Sequence, residues 1–178
     1  MRGYHNLPEQ TAEVMLGDGW FASGDVGEVD SMGRVRITDR KKDLLKTSGG
    51  KYIAPQHIES EFKAICPIAG QMIVTARNYA AALITLDQDG LTQWARSKQI
   101  DGDFATLTKD PAVVDYVQHC VDELNGRLNR WESIKQFRLL DRDLSIEQGE
   151  LTPSLKVKRS VVEAKFAGLI DSMFGAKE

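Results

Sequence analysis

Residues Gly33–Glu59 read GRVRITDRKKDLLKTSGGKYIAPQHIE, and the fold turns on how this stretch divides. Its first part alternates: Val35 and Ile37 stand among Arg34, Arg36 and Thr38, the period of a strand with one face open to water. Upstream, Val29 precedes Asp30-Ser31-Met32-Gly33, a turn composition, so Gly27–Thr38 reads as a hairpin. Asp39-Arg40-Lys41-Lys42-Asp43 then carries no apolar residue. Such a segment has nothing to bury and is expected to be a linker or exposed bend. The domain boundary is placed there, with 1–39 on one side and 40–178 on the other. Beyond it, Leu44-Leu45 and Tyr52-Ile53 flank Ser48-Gly49-Gly50-Lys51, the pattern of a second hairpin whose glycines permit positive φ. Pro55 suits the first turn of a helix that carries Ile58, Phe62 and Ile65 on one face.

Working outward, Met72–Ala76 and Ala82–Asp87 are short apolar runs with Arg77-Asn78-Tyr79 between them, which predicts paired strands and a tight connection. Asp89-Gly90 is expected to open a helix running to about Lys98. Asp110-Pro111 has the composition of a cap followed by proline, and Val113, Val117, Val121, Leu124 and Leu128 repeat at helical spacing. Ile134–Leu140 reads as a strand. Val161, Val162, Phe166, Leu169, Ile170 and Met173 predict a closing amphipathic helix, with Asp141–Ser154 before it as a polar, mobile connection. Hairpins and helices without regular β-α-β alternation or repeats indicate an α+β fold: a small mixed domain of hairpins and a short sheet packed with helices, preceded by a β-rich segment.

The 178 residues are enough for a real core, and 42% apolar with 28% charged residues is ordinary for a globular chain. A net charge of −3 exerts no broad pull on nucleic acid or anionic membrane. Arg34–Lys51 is locally basic, but few aromatics interleave with it, which argues against a nucleic-acid surface. Cys66 and Cys120 form no metal-ligand or disulfide pattern and read as reduced core thiols, so no metal site is expected. His5, His57 and His119 have no partner pattern. The N-terminus lacks an apolar signal region and no apolar run is long enough to cross a bilayer, which points to the cytoplasm.

Taken alone, the chemistry-bearing residues are modest. Asp25, between Gly24 and Gly27 in a tight segment, can accept hydrogen bonds from a sugar diol or can simply shape a turn. Arg40 and Lys42 read as solvated cations. Ser48-Gly49-Gly50-Lys51 is not a P-loop, because GxxxxGK[ST] needs glycine where Leu45 stands and Ser or Thr where Tyr52 stands. Lys156, Lys158 and Arg159 read as a solvated basic stretch before a helix.

Three segments in this order change that weighting: GWFASGDVG at Gly19–Gly27, the stretch Gly33–Glu59, and LTPSLKVKR at Leu151–Arg159. Together they resemble the adenylate-forming acyl-CoA synthetases, and the tail segment is most similar to the long-chain fatty-acid branch. The resemblance runs from about Arg2 to Arg159. It implies that Asp25 grips the ribose hydroxyls of ATP and that Arg40 makes a second ribose or phosphate contact. It implies that Lys42 is the hinge about which a small domain turns between two half-reactions, and that Ser48, Gly49 and Gly50 line the passage for the CoA pantetheine arm. Lys156 takes the place of the adenylation lysine, which bridges the acyl carboxylate and the ATP α-phosphate. Most members of the family have glycine before that lysine, where this chain has Leu155; the alternative register puts the role on Lys158.

The resemblance further implies a fatty acid, ATP and CoA as substrates, and Mg2+ with ligands outside this chain. Residues 1–39 would be the tail of a large AMP-binding domain and 40–178 the small mobile domain of a long-chain fatty acid:CoA ligase. The Ser/Thr/Gly-rich phosphate loop and acyl tunnel would belong to a missing N-terminal domain, leaving the isolated chain inactive. Two alternatives stand beside this: an adenylating ligase with another acid or a carrier-protein acceptor, and a non-catalytic α+β interaction module.

Overall fold

The run Ala80–Leu86 has no exposed residue on either face, and the larger part of the chain is arranged around it. The computed structural model describes residues 1–175, so the last three residues of the small domain expected at 40–178 lie outside it. Contacts divide the chain into two compact units, Met1–Leu44 and the chain from Leu45 onward.

The first unit opens with a short helix, α1 (Pro8–Val14), which the sequence reading did not anticipate. A hairpin follows, formed by β1 (Asp25–Val29) and β2 (Val35–Arg40). The turn is built as its composition suggests: Asp30 accepts from the Met32 and Arg34 backbone N–H groups at 2.9 Å each. The register shifts between Val26 and Gly27. There the strands come so close that a Cβ on residue 27 would lie 2.7 Å from the Arg36 carbonyl oxygen, which only glycine avoids. One expectation is corrected here. Asp39 and Arg40 belong to β2 rather than to a linker, and Asp39 is buried despite its charge, with its carboxylate accepting from the Arg40 N–H at 2.6 Å. The bend is confined to Lys41–Asp43, closed by the Asp43 N–H donating to the Arg40 carbonyl at 2.9 Å.

The second unit begins with the hairpin of β3 (Leu45–Lys46) and β4 (Tyr52–Ile53), then α2 (Pro55–Ile65) with proline at its start. Next come β5 (Ala69–Ala76) and β6 (Ala80–Leu86), then α3 (Gln88–Ser97), the short α4 (Phe104–Leu107) and α5 (Pro111–Asn125). The unit closes with β7 (Ile134–Leu139), α6 (Arg159–Lys165) and α7 (Ala167–Phe174). The β5, β6 and β7 strands form one sheet with β6 in the centre, antiparallel to β5 and parallel to β7. A central strand covered on both faces reads as a continuous apolar run rather than an alternating one. Ala80, Ala82, Ile84 and Leu86 face Ile58 and Phe62 of α2, Leu91 of α3 and Val117 of α5. Ala81 and Leu83 face the opposite way, toward Leu144, Leu151, Val162, Ile170 and Met173. The fold is α+β, with helices on both sides of a short mixed sheet.

Several boundaries differ from the sequence reading for local reasons. The third helix starts at Gln88 because Asp87, not Asp89, is its cap, accepting from the Gly90 N–H at 2.7 Å. The fifth stops at Asn125, whose side chain instead exchanges hydrogen bonds with the Ile134 backbone, so Leu128 packs on the core from outside the helix. The closing helix is broken at Phe166. Asp141–Ser154, expected to be mobile, is pinned: Leu144 and Leu151 are buried, and Asp143 accepts from the Thr85 hydroxyl of β6 at 2.8 Å.

Candidate functional site

In the first unit, Asp25 and Arg40 stand directly opposite each other at the open end of the β1–β2 hairpin. The Arg40 Nε lies 2.8 Å from an Asp25 carboxylate oxygen, so the two residues expected to contact ribose are brought together as an ion pair. The bulge at Val26/Gly27 sets this pairing, because without the shifted register the two side chains would not be cross-strand neighbours. Arg40 stays half exposed, and each group retains hydrogen-bonding capacity for a ligand. Trp20 and Phe21, in the segment leading to Asp25, are both exposed. Lys42 sits in the exposed turn after β2, close in sequence to the division between the units, and makes no ion pair among the described residues.

In the second unit the Ser48–Lys51 turn is closed by the Thr47 N–H donating to the Lys51 carbonyl at 2.9 Å and the Gly50 N–H donating to the Thr47 carbonyl at 2.8 Å. The two glycines are not equivalent. Gly50 has φ +76, the left-handed region, whereas Gly49 does not, and a Cβ on residue 49 would meet nothing nearer than the Thr47 Oγ1 at 3.9 Å. The left-handed requirement therefore belongs to Gly50, and residue 49 is unobstructed. The Ser48 N–H donates to the Arg77 carbonyl at 2.7 Å, which ties the turn to the β5–β6 connection. Beside it lies an open cleft of about 520 Å³ bordered by Lys46, Ser48, Arg77, Asn78 and Phe174.

Lys156 flanks a tight turn at Pro153-Ser154, directly across from Thr152. Leu151 and Val157 form an isolated antiparallel bridge, the Thr152 N–H donates to the Lys156 carbonyl at 2.8 Å, and the Leu155 N–H donates to the Thr152 carbonyl at 2.8 Å. The Lys156 side chain is exposed and has no ion-pair partner among the described residues. Leu155 has φ +60 and is 64% exposed. A leucine in the left-handed region is uncommon and strained, and this is the conformation a glycine would adopt freely. The backbone at residue 155 thus has the geometry of a glycine position although the side chain is leucine. Lys158, the alternative, precedes α6 and donates its backbone N–H to the Glu150 carbonyl at 2.7 Å, which places it at the base of the turn, farther from Pro153-Ser154 than Lys156.

Two anchors of this turn were missed by sequence reasoning. Arg159, read as solvated, is part-buried and donates to the Glu59 carboxylate at 2.6 Å and to the Val74 carbonyl at 2.5 Å. Glu150 is completely buried, receives two hydrogen bonds from Arg142 at 2.6 and 2.9 Å, and meets the Lys165 ammonium at 3.1 Å. The Arg142 hydrogen bonds hold its carboxyl down to about 2, against burial, which pushes the other way. No helix or strand spacing signals either pair: Arg159 and Glu59 lie 100 residues apart, and Arg142 and Lys165 lie 8 and 15 residues from Glu150. Both candidate loops of this unit are therefore fastened to the same strand region, one at Val74 and the other, just past the end of β5, at Arg77.

Other chemistries find little support. Cys66 and Cys120 are free and buried, and burial, with Cys120 alongside, pushes the Cys66 thiol up to about 12, far from a reactive thiolate. Among the described residues no group of three or more His, Cys, Asp or Glu side chains is placed to hold a metal ion. Among them, too, no helix is long and apolar enough to cross a membrane.

Against this geometry the comparisons are specific. No family model matches the chain. The long-chain-fatty-acid–CoA ligase FadD15 of Mycobacterium tuberculosis is 38% identical over 176 residues, covering 97% of this chain and 29% of that protein. The peroxisomal long chain acyl-CoA synthetase 7 of Arabidopsis thaliana is 34% identical over 179 residues, covering 97% of this chain and 25% of that protein. The chain spans between a quarter and a third of the length of such relatives. Among solved structures, the A-PCP didomain of carboxylic acid reductase from Segniliparus rugosus in complex with AMP superposes with a TM-score of 0.71 at 25% identity, over 97% of this chain and 23% of that one. ATP-bound MatB from Rhodopseudomonas palustris superposes with a TM-score of 0.59 at 25% identity, over 94% of this chain and 28% of that one. Along almost all of its length the chain is similar in sequence to the long-chain fatty-acid–CoA ligases, and its fold is that of the C-terminal portion of adenylate-forming enzymes.

Proposed function

We propose that this chain is the C-terminal part of an enzyme that converts a fatty acid, ATP and CoA into acyl-CoA in two steps. In the first, a carboxylate oxygen attacks the α-phosphorus and pyrophosphate leaves, giving acyl-AMP. In the second, the CoA sulfur attacks the acyl carbonyl and AMP leaves. The observation that carries the reading is the Lys156 turn: an exposed cation without an ion-pair partner among the described residues, on a backbone anchored to the core through Glu150 and Arg159. A fixed point charge of this kind stabilises the negative charge that develops at the phosphate.

The remaining roles follow. Asp25, paired with Arg40, receives the ribose hydroxyls; Arg40 adds a ribose or phosphate contact. Lys42, in the exposed turn Lys41–Asp43, is the hinge at which the part of the chain that follows it turns relative to the large domain, since a turn exposed on the surface can change φ/ψ at low cost. Ser48, Gly49 and Gly50 border the pantetheine passage, and the open space at Gly49 supports this reading. Mg2+, if used, is held by residues outside this chain. The reaction is placed in the cytoplasm, although a relative such as the Arabidopsis protein is named peroxisomal.

The test is acid-dependent pyrophosphate release by the full-length protein, followed by transfer to CoA or to a carrier protein. Long-chain acids with CoA as acceptor support the reading. A short or aromatic acid, or transfer to carrier protein alone, would replace it with the neighbouring class of adenylating ligase, and no pyrophosphate release from any acid would leave an interaction module.

A further inference from the structure

We infer that Thr152 is a positioning residue for Lys156, and that it acts by holding Leu155 in the left-handed conformation the turn requires. This rests on the reading of Lys156 as the adenylation lysine. The Thr152 hydroxyl accepts from the Lys156 N–H at 3.0 Å, four residues along the chain, and shares a second hydrogen bond with the Ser154 hydroxyl at 3.0 Å. Its backbone closes the same turn from both sides, donating to the Lys156 carbonyl and accepting from the Leu155 N–H, each at 2.8 Å. One residue thus fixes the peptide groups on both sides of Leu155.

Such a clamp has a physical reason here. With glycine at 155 the left-handed turn would form without steric opposition, whereas a leucine prefers to leave that region. Leu155 is 64% exposed, so no core packing holds it in place. The hydrogen bonds of Thr152 are what oppose its relaxation. Were it to relax, the Lys156 Cα would swing with it, and a misplacement of about 1 Å at a reacting centre is enough to cost up to ~10²-fold in rate. The base of the turn would not follow, since Glu150 and Arg159 tie it to the core independently.

The experiment uses the full-length protein and measures the half-reactions separately: acid-dependent ATP–pyrophosphate exchange, and thioester formation from preformed acyl-adenylate. Thr152→Val keeps the shape and removes the hydroxyl, and is expected to slow adenylation about tenfold or more while thioester formation stays within twofold. Thr152→Ser restores adenylation. Leu155→Gly, which takes the left-handed turn unaided, keeps adenylation near wild type, whereas Leu155→Val, β-branched and opposed to positive φ, reproduces the selective loss. The Leu155 pair involves an exposed side chain and so carries the test even if Thr152→Val does not fold. Equal loss in both half-reactions, no rescue by serine, or identical behaviour of Leu155→Gly and Leu155→Val would overturn the proposal. Lys156→Ala in parallel separates the two levels: if it leaves adenylation intact the lysine reading itself falls, and if it alone abolishes adenylation while the Thr152 and Leu155 variants match wild type, only the clamp does.

Discussion

Gly49 and Gly50 are adjacent in one turn yet respond to different demands. Gly50 holds φ +76, so Gly50→Ala is expected to destabilise the second unit by about 1–2 kcal/mol, measured by urea unfolding, from the cost of a Cβ in the left-handed region. Gly49 carries no such requirement and faces open space, so Gly49→Leu is expected to leave the unfolding midpoint unchanged. That makes it a clean probe of function. In the full-length protein Gly49→Leu should spare adenylate formation and block thioester formation, because the new side chain would fill the proposed pantetheine passage. A fall of both half-reactions together in a folded variant would deny this turn a step-specific role. From sequence the two glycines were indistinguishable, since composition marks a turn without saying which of its residues is left-handed.

At the scale of elements, the apolar periodicities of α2 and α5 were readable because each reflects a face that burial imposes, whereas β2 was readable by its alternation and turn composition although Val35 and Ile37 are exposed. The polar segment 141–154 was misread for the complementary reason. It holds its place through the buried Glu150, and a carboxylate whose partners Arg142 and Lys165 lie 8 and 15 residues away looks solvated in a linear reading. The ion pair sets a pH dependence with a definite sign. The folded-state value of about 2 lies below the ordinary 4.5, so Glu150 contributes stability that is complete above about pH 4.5 and is lost as pH falls toward 2. Glu150→Gln is expected to flatten stability against pH across that window, and Glu150→Ala to cost about 1–3 kcal/mol at neutral pH by leaving Arg142 and Lys165, each part-exposed, without their carboxylate. Chemical denaturation at a series of pH values checks both; an unchanged slope in Glu150→Gln would mean the carboxylate is not paired in solution.

For the whole molecule, the chain carries the proposed adenylation lysine, hinge and acceptor passage, but it spans only between a quarter and a third of the relatives' length. Purified residues 1–178 are therefore expected to release no pyrophosphate from ATP with any fatty acid; robust release would show that this part alone holds the acid and triphosphate sites. Order of motifs made the family legible in the sequence, while the anchoring of the Lys156 turn was not, because Arg159 reaches Glu59 and Val74 across most of the unit. The account stands on the proposition that Lys156 supplies its charge only while the phosphate is attacked. The direct measurement is Lys156→Ala in the full-length protein, with adenylation and thioester formation assayed separately. The account predicts a loss of roughly 10²–10³-fold in adenylation with thioester formation from preformed acyl-adenylate retained; equal loss in both half-reactions, or a selective loss on Lys158→Ala instead, would contradict it.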